Sequence, residues 1–212
     1  LFDGSGVEYD ATVIHIGKRR ATVEVKRAEF VDREMPLAVT IATALPKQPR
    51  QQTTIEKLTE LGVARIVPLI CRHSVAVIRP GDHKKLEKLR RWAIEACKQC
   101  GRTRIPQIGP PMTFGELVED ADGLADGPGE AARWILSMKE DARPVGEVLG
   151  AGEARPGAII AAIGPEGGWS DREEAQARQA GFTPIRLAPT VLRIETAGLA
   201  LMAQVGGIVQ GG

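Results

Sequence analysis

The sequence is poor in cysteine and in aromatic residues, and it contains no long apolar run. Its 212 residues include 3 cysteines, and only 4% are aromatic. An odd set of three cysteines cannot build a disulfide framework, which favours a reducing, cytoplasmic location. So few aromatic rings argue against a base-stacking platform of the kind that some RNA-binding domains use. No apolar run reaches the roughly 18 residues of a membrane span, so we expect no membrane partner.

Metal-binding motifs are also missing. Cys97 and Cys100 have the C-x-x-C spacing, but no second pair of cysteines or histidines accompanies them. Both lie on the apolar stripe of a predicted helix, where packing explains them. His15, His73 and His83 have no motif partner, and we expect no metal. The chain opens without a methionine and without a basic-then-apolar leader, and we expect that further residues precede it.

The charge that is present is divided unevenly along the chain. The formal net charge is +1, but residues 1–110 carry 20 Lys and Arg against 12 Asp and Glu, and residues 111–212 carry 8 against 15. This polarity predicts a basic surface for an anionic partner, although charges of both signs on solvated faces are the alternative. With 43% hydrophobic and 26% charged residues, the composition is typical of a globular protein of one domain, or of one domain with a small appendage.

The first 36 residues predict a β-hairpin followed by a linker. Residues 9–16 and 20–27 alternate apolar and polar side chains with the period of two that is typical of strands. A turn around Gly17 joins them. Because a lone hairpin is only marginally stable in water, we expect these strands to belong to a small barrel or sheet that begins upstream. Residues 28–36 form the predicted linker.

From residue 37 onward, predicted strands and helices alternate, which indicates an α/β domain with a mainly parallel sheet. Apolar runs predict strands at 37–44, 63–70, 134–138, 158–163 and 184–187. Capping boxes predict helix starts at 53–56, 113–116 and 170–173, and the first and third of these helices are expected to end at Gly62 and Gly181. Two more helices are predicted at 82–100 and 195–209. Residues 121–131 are predicted to form an exposed loop.

One loop of this domain combines a buried strand, a run of glycines and the start of a helix. It has the sequence Gly-Pro-Glu-Gly-Gly-Trp at 164–169. Glycines after a strand let the backbone approach a ligand closely, and α/β folds bind small molecules at the carboxyl ends of their strands. The loop matches neither the dinucleotide-binding nor the Walker motif, so phosphate binding is disfavoured. A tight turn without a ligand is the alternative.

A second loop, at 187–197, also leaves a strand and enters a helix. It places Arg193 and Glu195 at the start of that helix. A positive charge at this end opposes the helix dipole, so its presence needs a reason. An anionic ligand is one such reason, and an exposed arginine that is screened by water is the other.

Four segments, in order along the chain, carry a resemblance to a known family. They are EKLTELGVARIVPL at 56–69, EACKQCGRTRIPQI at 95–108, IGPEGGWS at 163–170 and LAPTVLRIETAGLALMAQV at 187–205. Together they resemble the bacterial 16S ribosomal RNA uridine-N3 methyltransferases of the SPOUT superfamily. The resemblance implies a partial PUA-like β-barrel for RNA binding with its linker at 1–36, and a SPOUT methyltransferase domain with a carboxy-terminal trefoil knot at 37–212. It also implies a homodimer, to which we expect the apolar helix 197–209 to contribute.

The same resemblance implies a cofactor site for S-adenosylmethionine in the knot. Its walls are expected to be the strand end at 136–138 and the two loops described above, with backbone groups and apolar side chains around the adenine. The residues implied as cofactor-binding are Leu136, Ser137, Ile163, Gly164, Pro165, Glu166, Gly167, Gly168, Leu187, Leu192 and Arg193. Trp169 departs from the family pattern, in which an aliphatic residue is common at this position, and so does the long loop at 121–131.

Methylation at uridine N3 requires that this weakly acidic nitrogen lose its proton. We expect Arg193 to place positive charge beside the base oxygens and so stabilise the uracil anion, as the donors of an oxyanion site do. Glu166 or Glu195 would accept the proton, directly or through water. A helix-capping role is the alternative for Glu195. Holding the methyl group in line with N3 contributes without any side-chain chemistry.

Basic residues supply the predicted contacts with RNA phosphates. They are Lys18, Arg19 and Arg20 in the hairpin turn, with Lys57, Arg102 and Arg104 in the second domain. The turn at 101–104 places two guanidinium groups close together, which suits phosphates or base edges. Ordinary solvated residues are the alternative.

The function implied by the resemblance is S-adenosylmethionine-dependent methylation of uridine N3 in 16S ribosomal RNA, free or in the small ribosomal subunit, as a step of ribosome biogenesis. A SPOUT enzyme that methylates a ribose 2′-hydroxyl and a non-catalytic RNA-binding protein are the alternatives. A Rossmann-type nucleotide or NAD enzyme is disfavoured, because the G-x-G-x-x-G motif and the acidic residue at the next strand end are missing.

Overall fold

The computed structural model describes residues 1–150 and 155–211, and its amino-terminal part is a hairpin. Two antiparallel strands form it, β1 (Val7–Ile16) and β2 (Ala21–Phe30). The Gly17 N–H donates to the Arg20 carbonyl over 2.8 Å and closes the turn. The predicted hairpin is confirmed, although β2 continues to Phe30, beyond its predicted end at residue 27. The PUA-like barrel to which the resemblance assigns these strands stays a prediction.

The second part of the chain is built on one sheet of eight strands whose pairings are all parallel. The strand order is β5-β4-β3-β9-β7-β10-β8, and β6 pairs with the end of β4. The strands are β3 (Ala38–Thr43), β4 (Arg65–Ile70), β5 (Gln107–Ile108), β6 (Met112–Thr113), β7 (Ala131–Leu136), β8 (Arg143–Pro144), β9 (Ala158–Ile163) and β10 (Thr183–Arg186). The α/β prediction is confirmed. The two-residue strands β5, β6 and β8 were not predicted, because so short a strand shows no periodicity.

Helices cover the sheet, and two of the three predicted capping boxes are present. The helices are α1 (Arg50–Glu60), α2 (His83–Cys100), α3 (Phe114–Glu119), α4 (Val145–Leu149), α5 (Asp171–Gln179) and α6 (Ile194–Gln210). Thr113 and Ser170 cap α3 and α5 as predicted. The predicted box at 53–56 is wrong: α1 begins at Arg50, directly after Pro49, and the Thr54 hydroxyl donates to the Arg50 carbonyl over 2.8 Å. Pro49, directly before the first helical residue, was the stronger signal.

The core lies on both faces of β9, whose six residues are all buried. On each face of β9, alanine and isoleucine side chains alternate, and both faces are covered. The segment 121–131 is only in part the exposed loop that was predicted, because residues 127–130 are exposed but Ala121 and Leu124 are buried. It contains a turn of 3₁₀ helix at Asp122–Leu124, Leu124 is buried, and its carbonyl accepts a hydrogen bond of 2.9 Å from the Thr40 hydroxyl. Leu124 and the ion pair of Asp126 with Arg65, over 2.7 Å, hold this Gly- and Asp-rich segment against the core.

The neighbouring strands β9, β7 and β10 set the position of the candidate site. Because they are parallel, the chain leaves all three at the same edge of the sheet. Short connections therefore converge there, and they contain both loops that were singled out from the sequence. Within the described ranges, no helix has the length and the apolar character that crossing a membrane requires.

Candidate active site

A cleft of about 560 Å³ opens at the carboxyl ends of β7, β9 and β10. We name its walls the first loop (137–142, after β7), the second loop (164–170, after β9) and the third loop (187–193, after β10). Most residues implied as cofactor-binding line this cleft. They are Leu136, Ser137, Ile163, Gly164, Pro165, Glu166, Gly168, Leu187, Leu192 and Arg193.

Gly167 faces away from the cleft. A Cβ on Gly167 would stand 2.9 Å from the Cβ of His73, so the missing side chain serves packing against that residue. Nδ1 of His73 also lies 3.1 Å from the Gly168 carbonyl oxygen. His73 therefore supports the second loop. Gly167, which was implied as cofactor-binding, is therefore not among the residues that line the cleft.

Trp169 joins the first and second loops. Its Nε1–H donates to the Leu136 carbonyl, at the end of β7, over 2.8 Å. Its ring lies against Gly164, where a Cβ would come within 2.9 Å of the indole. It also packs against Phe114, with ring centroids 4.9 Å apart. Trp169, the departure from the family pattern, is thus a wall of the cleft that sets the spacing between two loops.

Replacing Trp169 with phenylalanine tests this role. The variant keeps a ring against Phe114 but leaves the Leu136 carbonyl without its donor, so we expect the free energy of unfolding to fall by about 1–3 kcal/mol. Urea unfolding measures it. Trp92→Phe is the matched control. Trp92 is a half-buried residue of α2, and its replacement should lower the free energy of unfolding less. Equal losses in the two variants would contradict a special role for Trp169.

The third loop ends on a positive charge that faces the cleft. Gln204 of α6 anchors the start of the loop by donating to the Leu187 carbonyl over 3.1 Å. Arg193 is the N-cap residue of α6, with extended backbone and no side-chain capping bond, and it is exposed in the cleft. The nearby carboxylates of Glu166 and Glu195 pair with a different arginine. The Arg193 guanidinium is therefore available to a ligand.

That other arginine is Arg50, the first residue of α1, which lies between the two candidate proton acceptors. Its Nη2 is 3.9 Å from Oε1 of Glu166, and its Nη1 is 3.6 Å from Oε1 of Glu195. Glu166 lines the cleft, whereas Glu195 does not and keeps 15% of its side chain exposed. Oε2 of Glu195 is buried and finds no hydrogen-bond partner in the described residues. The geometry favours Glu166 as the carboxylate that meets a substrate.

Sequence reasoning missed Arg50 because it placed the start of α1 at the capping box rather than at Pro49. The order of the strands in the sheet is the signal that could have located Arg50. The strand before Arg50, β3, pairs in parallel with β9 along its whole length, from Ala38 beside Ala158 to Thr43 beside Ile163. Residues that follow β3 therefore reach the same edge of the sheet as the second loop.

Sequence reasoning also missed a second set of charged residues in the cleft, Lys139 and Glu174. Glu174 of α5 accepts a hydrogen bond of 3.2 Å from the Ser137 hydroxyl and forms an ion pair with Lys139. Lys139 also lies 3.4 Å from Asp171. The hydrogen bond to Glu174 raises the pKa of the Lys139 ammonium, so that group keeps its charge at neutral pH. These contacts tie the first loop to α5.

Glu173, the next residue on α5, ties the second loop to the connection after β4. Its carboxylate accepts hydrogen bonds of 2.8 Å from the backbone N–H groups of Arg72 and Ser170. Burial alone would raise the pKa of Glu173, but these hydrogen bonds outweigh it and the pKa is lowered. The carboxylate therefore stays ionised and keeps the second loop in place.

The structure corrects one of the predicted RNA contacts. Arg102 is buried, with 5% of its side chain exposed, and it forms an ion pair with Glu34 in the linker. Its Nη1 also donates to the carbonyls of Thr59, over 2.8 Å, and Val63, over 3.1 Å. All three nitrogens of the guanidinium thus donate to protein groups. Arg102 joins the hairpin linker to the end of α1 and does not face RNA.

The other predicted RNA contacts lie on the surface. Lys18, Arg19 and Arg20 are exposed at the hairpin tip. Arg104 is exposed, and its guanidinium carbon lies 5.4 Å from the ring centroid of Phe30. Lys57 is half-buried and pairs with Glu60 over 2.7 Å. Their contact with RNA stays a prediction.

Residues 1–150 and 155–211 contain no group of three or more His, Cys, Asp or Glu side chains that could hold a metal ion. Cys97 lies on the buried stripe of α2, and burial raises the pKa of its thiol to about 11. The neighbouring Cys100 is half-buried. Both sulfur atoms are placed for packing.

Comparison with known proteins defines the class. Residues 33–206 match the family model described as an RNA methyltransferase domain. The chain belongs to this family. Among its relatives is the ribosomal RNA small subunit methyltransferase E of Synechocystis, which is 30% identical over 210 residues. That alignment covers 99% of this chain and 66% of the relative, so the chain spans about two thirds of that protein's length.

Two solved structures are similar over nearly the whole chain. The first is a putative methyltransferase from Legionella pneumophila in complex with bound S-adenosylmethionine, with a TM-score of 0.84, 31% identity, and coverage of 96% of this chain and 80% of that one. The second is a ribosomal RNA small subunit methyltransferase E from Neisseria gonorrhoeae, bound to S-adenosylmethionine, with a TM-score of 0.82, 33% identity and the same coverage, 96% and 80%. The SPOUT-type α/β methyltransferase fold is thereby confirmed. The knot and the homodimer stay predictions.

Proposed function

We propose that this chain transfers the methyl group of S-adenosylmethionine to N3 of a uridine in the 16S RNA of the small ribosomal subunit. One observation carries the proposal: a largely apolar cleft at the carboxyl ends of three parallel strands is lined both by the Arg193 guanidinium, which is in no ion pair with the described residues, and by the exposed carboxylate of Glu166. The family membership supports methyl transfer to RNA, and the two relatives named for small-subunit ribosomal RNA support the substrate class.

The cleft fits the methyl donor in size and in lining. Its volume of about 560 Å³ lies within the usual range of roughly 300–1,000 Å³ for ligand pockets. The backbone of Gly168 has a φ of 72°, and no atom lies within 4 Å of the position that a Cβ would take there. A ligand can therefore approach this backbone directly. Ile163, Leu187 and Leu192 supply apolar surface for an adenine ring.

The chemistry divides between the donor and two side chains. When bound, S-adenosylmethionine supplies a methyl group on a sulfonium sulfur, which keeps the electron pair of the broken carbon–sulfur bond. Glu166 accepts the proton of uridine N3, directly or through water, and thereby frees the nitrogen lone pair that forms the new bond to carbon. Arg193 stabilises the negative charge that spreads to the base oxygens. Nη2 of Arg50, 3.9 Å from Oε1 of Glu166, places a positive charge beside this carboxylate.

The two carboxylates are expected to differ sharply on replacement. Glu166→Gln should lower the methyl-transfer rate by about 100-fold, the usual contribution of a general base. The deficit should shrink at alkaline pH, where solvent hydroxide removes the N3 proton. Glu195→Gln, the matched control on the far side of Arg50, should lower the rate less than about tenfold. Single-turnover rates between neutral and alkaline pH measure both, and equal deficits or a deficit that is independent of pH would contradict the assignment of Glu166.

Mass spectrometry of nucleosides after reaction tests the function itself. The chain is incubated with S-adenosylmethionine labelled in the methyl group and with small-subunit ribosomal RNA, as free transcript and as assembled subunit. The expected product is 3-methyluridine. A labelled ribose would favour a 2′-O-methyltransferase. If calorimetry shows no binding of S-adenosylmethionine and the RNA acquires no label, the result would favour an RNA-binding protein without catalysis.

A further inference from the structure

The solvent face of α2 carries a row of positive charges that the proposed chemistry does not use. Lys84, Lys88 and Arg91 are spaced by four and three residues and so lie along one side of the helix. The buried residues Leu89 and Ala93 lie on the other side. Lys84 and Arg91 are exposed, and Lys88 is half-buried. We name these three residues the α2 basic row.

Neighbouring carboxylates do not neutralise the α2 basic row. Where the chain is described, its three side chains take part in no ion pair, and two of the three acids nearby pair with other lysines. Asp82 pairs with Lys85 over 3.0 Å, and Glu95 pairs with Lys98 over 2.6 Å. Glu87 is the remaining acid of the helix. The row therefore presents a net positive charge to solvent.

Local helix stability does not explain the row. The first turn of α2 contains no acidic residue, although it contains Lys84 and Lys85. Positive charges at this end of a helix oppose the helix dipole, and like charges four residues apart repel each other. The placement of Lys84 and Lys88 is therefore not explained by helix stability, and an anionic partner outside the chain is a reason for it.

The α2 basic row is continuous with the rim of the cleft. Nζ of Lys88 lies 3.5 Å from Oε1 of Gln48, in the connection between β3 and α1. Gln48 stands two residues before Arg50, so their Cα atoms are at most about 7.6 Å apart. Arg50 in turn contacts Glu166 in the cleft. The exposed Lys47 adds a further positive charge to this path.

We propose that the α2 basic row binds the phosphate backbone of the RNA strand beside the target nucleotide and guides that strand to the cleft. The proposal rests on the proposed function, because the cleft defines which strand is meant. Contacts to phosphate position a nucleic acid without reading its sequence. The row should therefore contribute affinity and salt dependence, while the cleft selects the base.

A charge-matched pair of double variants tests the proposal. Lys84→Gln with Lys88→Gln removes two charges from the row, and Lys85→Gln with Arg90→Gln removes two charges from other sides of the same helix. For the first, we expect RNA affinity near 150 mM salt to fall on the order of tenfold. The slope of log affinity against log salt should become shallower by about 1.4, at about 0.7 for each contact with a single strand. The KM for RNA should rise by the same factor with kcat unchanged, and the control should stay within about twofold.

The outcomes separate this proposal from the proposed function. A wild-type chain that transfers no methyl group refutes the proposed function. The RNA affinities of the two double variants still test whether the α2 basic row binds RNA. Suppose that the wild type methylates RNA and that the two double variants have the same KM for RNA and the same slope of log affinity against log salt. The α2 basic row then does not bind RNA. Loss of binding to phosphatidylserine vesicles with RNA affinity unchanged would assign the row to a membrane surface instead. Circular dichroism of both variants controls for folding, and Lys84→Gln should not weaken α2.

Discussion

Replacing Arg193 with alanine is expected to lower the rate of methyl transfer by about 100-fold or more, the cost of removing one preorganised group that stabilises an oxyanion, about 3 kcal/mol. The guanidinium is exposed in the cleft, and the carboxylates nearby pair with Arg50 instead. Its removal therefore breaks no internal ion pair of the described chain. The loss should appear in kcat, with the melting temperature nearly unchanged.

Arg186→Ala supplies the control for this prediction. Arg186 is the last residue of β10 and is exposed, but it does not line the cleft. Its replacement should leave kcat within about twofold of the wild type, since no electrostatic contact with the base is lost. Arg193→Lys should recover part of the rate, because the charge is kept while the planar fork is lost. Full activity of the alanine variant would remove Arg193 from the mechanism.

Replacing Arg102 with alanine is expected to be strongly destabilising, by about 3–5 kcal/mol. The change leaves the Glu34 carboxylate, of which 17% is exposed, without its partner, and it leaves the carbonyls of Thr59 and Val63 without a donor. Urea unfolding followed by circular dichroism measures the loss. RNA affinity of the folded fraction should not change, because the guanidinium is buried.

Two further variants isolate the cause of that loss. Arg104→Ala, two residues along the same turn, removes an exposed arginine and should change stability by no more than about 0.5 kcal/mol. The double variant Arg102→Met with Glu34→Leu removes both charges and should recover most of the stability, since no buried charge remains unpaired. An Arg102→Ala protein as stable as the wild type, with weaker RNA binding, would restore the original prediction.

The sequence was most informative where local and global signals agree. The apolar run of β9, the glycines after it and the capping box at Ser170 all point to a tight connection at the end of a buried strand, and that is where the cleft lies. The direction of the strands followed from their alternation with helices. A segment whose patterning and turn chemistry agree specifies its conformation without reference to distant residues.

The residues that escaped prediction depend on partners far away in the chain. Arg50 reaches Glu166 only because β3 lies beside β9, and Lys139 reaches Glu174 only because the first loop lies beside α5. Arg102 is read from sequence as a surface residue, and its burial follows from carbonyls at the end of α1 and a carboxylate in the linker. No local pattern encodes such pairings.

The strand order has a consequence for how the protein reaches its native state. Residues that pair in the centre of the sheet, such as Ala38 and Ala158, are far apart in the chain. Closing such long loops costs entropy before the strand contacts repay it, and refolding is accordingly slow for parallel sheets with distant neighbours. Since the walls of the cleft come from three of these strands, the methyl donor meets a complete site only at the end of folding. It should therefore raise the final yield of native protein in a refolding experiment and leave the rate of the early phases unchanged.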